Sequence, residues 1–154
     1  MIPTTLAPGI PRALQLEHEA LREELTRLAG EAGRIGEVGA EVAALFDRHA
    51  AREEQFALPP LGLLASLAAG AVPTDAAATV AMSRRLRAEL PRMLDEHLAI
   101  VGALQRLLDT ANELGRPDVS DVAGKLILHA QVEEEILYPA SILVGKYLEE
   151  CGAR

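Results

Sequence analysis

The sequence predicts an all-α fold, an up-down-up-down four-helix bundle, on three observations. No stretch alternates β-branched and polar residues as a strand would. Apolar residues recur at helical spacing in four separate segments. The connections between the first and second segments, and between the third and fourth, are short, which favours antiparallel neighbours. The chain has 154 residues, enough for one domain with one core. Residues 1–10 read as an irregular lead-in and 11–150 as the helical domain.

The first helix starts near Pro11, a good first-turn residue, and fades at Gly30 and Gly33. Its stripe is Leu14, His18, Leu21, Leu25 and Leu28. The second runs from about Ile35 to Leu58 and ends at Pro59-Pro60, with Val42, Leu45, Phe46, His49, Glu53 and Phe56 on its stripe. Gln55 to Thr74 carries no charge and imitates a membrane span. Pro59, Pro60, Gly62, Gly70 and Pro73 puncture it, so it reads instead as a helix end, a short buried helix over Leu61 to Ala69, and a loop. The third helix follows Thr74-Asp75, which can cap it, and runs to about Leu114-Gly115. Its stripe is Leu86, Leu90, Met93, His97, Ile100, Val101, Leu104 and Leu108, and Pro91 predicts a kink or break. The fourth starts near Pro117-Asp118 with Val122, Leu126, His129, Glu133, Ile136 and Leu137. Pro139 bends or ends it, and Ser141 to Glu150 continue as a last helical piece.

Composition excludes several functions. The net charge is −8 and aromatics are 3%, so nucleic-acid binding lacks both a basic face and a stacking platform. The single cysteine, Cys151, permits no intrachain disulfide and no cysteine metal site, which suits a reducing, cytoplasmic setting. The first residues lack the basic start and apolar run of a signal peptide. There is no phosphate-binding Gly-rich loop and no nucleophile elbow.

The chain has four histidines, His18, His49, His97 and His129, one on each apolar stripe. Glu53 and Glu133 follow His49 and His129 by four residues, so they share the inward face. Buried carboxylates are costly unless paired or metal-bound. The stripes hold no Lys or Arg, and Arg48 and Arg52 project to other faces. Four imidazoles and two carboxylates fit one or two first-row transition metals. The chain also reads as duplicated: Glu17-His18 matches Glu96-His97, and His49-x-x-x-Glu53-Glu54 matches His129-x-x-x-Glu133-Glu134. If hairpin-mates share a height, His97 stands about 9 Å too far from its turn at 1.5 Å per residue. The third helix should then stop near Thr110 or lean.

These residues, His18, His49-x-x-x-Glu53-Glu54, His97 and His129-x-x-x-Glu133-Glu134, resemble the haemerythrin-like (HHE cation-binding) family over about residues 11 to 140. The resemblance implies a bundle enclosing two iron ions, probed by O2, peroxide or NO. It makes His18, His49, His97 and His129 terminal metal ligands, and Glu53 and Glu133 bridging ones. Oxygen-carrying members have a fifth histidine one turn from the third-helix ligand. Here Met93 and Val101 flank His97 at that distance. With an oxo or hydroxo bridge, this donor set leaves a position open on each metal, which favours sensing or redox chemistry over reversible O2 carriage. Zinc or manganese also suits the donors. A sensor or store acting through a partner protein, and a structural bundle holding zinc, are the competing readings. Glu54 and Glu134 read as solvated or behind the ligands. Phe56 and Tyr138 read as packing the pocket wall, with hydrogen bonding a second reading for Tyr138.

Overall fold

The computed structural model describes residues 6–152; residues 1–5 of the expected lead-in lie outside them. The elements are α1 (Arg12–Ala29), α2 (Gly33–Arg52), a π turn (Glu53–Ala57), a 3-10 turn (Pro59–Leu63), α3 (Leu64–Ala68), α4 (Ala77–Glu113), α5 (Pro117–Val132), a second π turn (Glu133–Leu137) and α6 (Tyr138–Gly152). Among the described residues there is no strand. α1 packs on α2, α2 on α4 and α4 on α5, and α6 packs on the first half of α4. The four-helix expectation therefore holds, with α6 as an addition.

Both hairpin turns lie at one end of the bundle. Arg116, beside the α4–α5 turn, donates from both terminal nitrogens to Glu31 in the α1–α2 turn at 2.8 and 2.9 Å. The α1–α2 turn is tight: a Cβ on Gly36 would sit 1.7 Å from the Glu31 carbonyl oxygen. Gly115, at φ +64°, reverses the chain between α4 and α5, a conformation glycine adopts without penalty. The Asp75 carboxylate accepts the Ala77 backbone N–H at 3.0 Å at the start of α4, as its sequence position suggested.

The main core lies between the turn end and the histidines. It includes Leu25, Leu28, Val42, Phe46, Leu104, Leu107 and Leu126, and each such buried side chain contributes about 1.5–3 kcal/mol. On the other side of the histidines a second cluster joins Phe56, Leu86, Met93 and Tyr138. A third joins Leu63, Val144 and Leu148, with Leu6 against it. The site is thus sealed by apolar layers above and below.

The structure corrects five details. α4 runs unbroken through Pro91, whose exposed position puts the ring and the missing N–H toward solvent. Nor does α4 stop near Thr110; it reaches Glu113. Pro139 does not end the last helix, because it occupies the first turn of α6, where a missing N–H is tolerated. In the Pro59-Pro60 region the chain stays helical in a 3-10 turn that buries Leu61 and Leu63, whereas α3 itself buries no residue. Ile136, expected on the inward stripe, is 58% exposed, since the second π turn rotates it outward.

Candidate metal centre

All six predicted residues are buried and converge midway along the bundle. They form two overlapping groups: His18, His129, Glu53 and Glu133, and His49, His97, Glu53 and Glu133. The donor atoms of each group lie within 4.8 Å of one another. The pairing resolves the height conflict. His18 and His129 stand about equally far from the turn end, on different hairpins, with ring centroids 5.2 Å apart. His49 and His97 stand about one helical turn farther along, with centroids 4.4 Å apart. The levels are set by partners across hairpins, not by hairpin-mates, so α4 need not shorten.

The two carboxylates each divide their oxygens between the two levels. Glu53 Oε2 lies 3.6 Å from His18 Nε2, and Glu53 Oε1 lies 3.2 Å from His49 Nε2. Glu133 Oε1 lies 3.5 Å from His18 Nε2 and 2.7 Å from His129 Nε2. Its Oε2 lies 3.1 Å from His97 Nε2. Several of these atoms are orphans. His18 Nε2, His129 Nε2, Glu53 Oε2 and Glu133 Oε1 are buried and make no hydrogen bond of acceptable geometry. Unsatisfied buried donors and acceptors are costly, and a cation between them would satisfy all four.

A family model for the hemerythrin HHE cation binding domain matches residues 10–141. The chain belongs to this family. No curated protein and no solved structure gives a significant match.

In this haemerythrin-like domain every histidine is also held from behind. His18 Nδ1 lies 3.1 Å from Glu54, His49 Nδ1 2.7 Å from Glu96, His97 Nδ1 2.9 Å from Glu134, and His129 Nδ1 3.1 Å from Glu17. A carboxylate on Nδ1 leaves Nε2 as the inward electron-pair donor and raises ring basicity. The pattern is reciprocal across the duplication. The residue preceding His18 serves His129, and the residue preceding His97 serves His49. The residues following Glu53 and Glu133 serve His18 and His97. Sequence reasoning left Glu54 and Glu134 between two roles and gave Glu17 and Glu96 none. Their placement next to each inward residue was the available signal. Arg22 donates to Glu54 at 2.8 Å, and Arg52 reaches Glu96 at 3.2 Å.

The two glutamates begin the two π turns. In each turn the backbone N–H five residues later bonds the glutamate carbonyl, Leu58 to Glu53 and Tyr138 to Glu133. α-helical spacing would turn the fifth residue about 140° away. The wider turn instead brings Tyr138 over the site. Its hydroxyl donates to Glu53 Oε1 and lies 3.2 Å from His49 Nε2 and 3.3 Å from His97 Nε2. Tyr138 is thus a hydrogen-bonding residue of the site as well as part of its wall. Phe56, read as wall, packs against Leu86 and Met93 in the adjoining core.

Electrostatics follow from this geometry. Burial pulls His49 and His129 down, but hydrogen bonds to Glu53 and Glu133, respectively, and the neighbouring carboxylate charge lift both to about 9. Burial and the adjacent Glu133 charge push the Glu53 carboxyl up. Burial also acts on Glu133, yet hydrogen bonds from His129, His18 and His97 hold it well below the ordinary carboxylate range. Burial and the two carboxylates raise the Tyr138 phenol, so it stays protonated and remains a donor. Beside the imidazoles, Phe46, Ile100, Leu126 and Ala130 line a cleft of about 10 Å³, roughly the space one water centre needs.

Proposed function

We propose that the domain is a non-haem di-iron protein that reacts with a small oxidant, O2, hydrogen peroxide or NO. The observation that carries this reading is the division of each carboxylate between two levels, one oxygen to each, with two imidazoles completing each level. His18 and His129 would hold one iron, His49 and His97 the other, and Glu53 and Glu133 would bridge them. When bound, the irons supply electrons and open coordination positions.

The chain's own residues shape that chemistry. Glu17, Glu54, Glu96 and Glu134 fix the histidine tautomers. Tyr138 keeps an O–H donor beside the His49 and His97 level, while Phe46 presents a ring edge to His18, with centroids 5.7 Å apart. A polar donor thus faces one level and an aromatic edge the other. That inequality suits directional handling of an oxidant more than reversible carriage. The narrow cleft restricts entry to molecules of a few atoms. A single cysteine accords with a reducing cytoplasmic setting. Among the described residues no helix is long and apolar enough to cross a membrane.

The test is metal content by mass spectrometry on protein purified without added metal, with the visible spectrum of the same sample. About two irons per chain and charge-transfer absorption that bleaches on reduction are expected. Zinc alone, or no iron uptake after anaerobic reconstitution, overturns the proposal.

A further inference from the structure

The duplicated halves provide an internal control for what the centre requires. Aligning His18 with His97 and His49 with His129 sets α1 against α4 and α2 against α5. Between α2 and α4 the surface opens into a hollow of about 480 Å³ that ends on His49 and Glu96. Between α1 and α5 a hollow of about 310 Å³ ends on the equivalent pair, His129 and Glu17. The floors also correspond, Ala99 and Ile100 in one and Ala20 and Leu21 in the other.

The rims do not correspond. The first hollow carries Arg48, Arg52 and Arg92. The same registers in the other half hold Leu128, Val132 and Ala13. Glu17 reaches His129 at 3.1 Å with none of these arginines. Orienting an imidazole through a carboxylate therefore does not require them.

The arginines also have more donors than acceptors. Arg48 is exposed and makes no hydrogen bond or ion pair among the described residues. Arg52 is tied to Glu89 and Glu96, yet its Nε is buried without a partner. Arg92 is 71% exposed and approaches Glu96 only at 3.4 Å. Three guanidiniums converge on one apolar-floored hollow in a chain of net charge −8. Guanidinium donors match carboxylate and phosphate oxygens in a fork geometry. A concave, mostly apolar floor with a few convergent polar groups is the general form of a small-molecule site.

We infer that the α2–α4 hollow binds an organic anion. Arg48 and Arg92 hold its carboxylate or phosphate head, with Arg52 behind them. A short apolar body lies over Leu45, Ala99 and Ile100. The site is separate from the cleft at the histidines and takes a larger, charged molecule.

Isothermal titration of the metal-loaded chain with phenyl phosphate, and separately with inorganic phosphate, tests this. Phenyl phosphate should bind saturably at about one per chain, and inorganic phosphate at least about tenfold more weakly, because it lacks the apolar body. The double variant R48L/R92A places in this hollow the residues of the other one and should weaken phenyl phosphate at least about tenfold. Both side chains are exposed, so the fold should persist, checked by circular dichroism; the single variants R48L and R92A should each show part of the loss. Lys125→Ala, on the rim of the other hollow, should leave binding unchanged. Absence of saturable binding, or full affinity in R48L/R92A, overturns the inference. So does equal affinity for the two phosphates, or a loss in Lys125→Ala matching that of the double variant. An anion bound directly at the centre would give the full-affinity result.

Discussion

Tyr138 hydrogen-bonds Glu53, although the two residues belong to opposite halves of the duplicated chain. The phenol follows Glu133 by five residues and reaches across to the other glutamate. The equivalent position after Glu53 is Leu58, which has no hydroxyl. The centre is therefore symmetric in its donors and asymmetric in its wall. Tyr138→Phe should keep the fold and lose a buried donor. Removing such a bond costs about 2 kcal/mol. Urea denaturation of the metal-free variant checks this, and an unchanged midpoint would show that Glu53 finds another donor.

The shared glutamates should be worth more metal than any histidine. Glu133→Ala is expected to drop metal content from about two per chain to near zero, because both levels use that carboxylate. His18→Ala touches one level and should retain about one. Metal analysis of the two variants side by side separates them. Equal losses would mean that the levels fill only together.

Stability of the metal-free chain should fall as pH rises above neutrality. His49 and His129 sit at about 9 in the folded chain, against an ordinary value of 6.5. The folded state thus binds protons more tightly than the unfolded one. The stabilisation is fully present below pH 6.5 and is lost as pH rises through about 9. Metal loading must displace these protons, so the loaded chain should lack the decline. Urea midpoints across this range, with and without metal, check both halves of the statement. A metal-free midpoint that rises with pH would contradict it.

The carboxylates behind the histidines should tune affinity without holding the fold. Glu96→Gln removes the charge that faces His49 Nδ1 at 2.7 Å. Loss of such a partner typically costs about 10–100-fold in metal affinity. Chelator competition reads the change, and thermal melting of the metal-free protein should move little, since Glu96 lies at the surface edge. Comparable melting losses would recast Glu96 as structural.

At the turn end, Gly36→Ala forces a Cβ into the Glu31 carbonyl. The obstacle is backbone, so relief requires moving the turn that also carries the Arg116 pair. A destabilisation of about 1–3 kcal/mol is expected by denaturant titration.

Most of the architecture was legible because the inward residues are chemically distinctive. A histidine or glutamate inside a leucine stripe can be read at helical spacing, and four such stripes give the bundle. What the sequence hid was winding and depth. The π turns at Glu53 and Glu133 shift one hydrogen bond each and change no composition, so Ile136 was placed inward and Tyr138 only at the wall. The heights of His18 and His97 depend on which helices meet across hairpins, information that periodicity within one helix does not contain. Glu17 and Glu96 looked solvated because half of each carboxylate's role is on a neighbouring helix.

The two π turns carry a consequence for how chains of this kind can change length. A π turn is an α-helix with one residue added. Removing a residue between Glu133 and Pro139 would restore regular winding and rotate everything downstream by about 100°. Tyr138 would leave the site, and α6 would present a different side to α4. The same holds between Glu53 and Leu58. These two short stretches should therefore be free of gaps when haemerythrin-like sequences with this tyrosine are aligned, while insertions collect in the loop between α3 and α4.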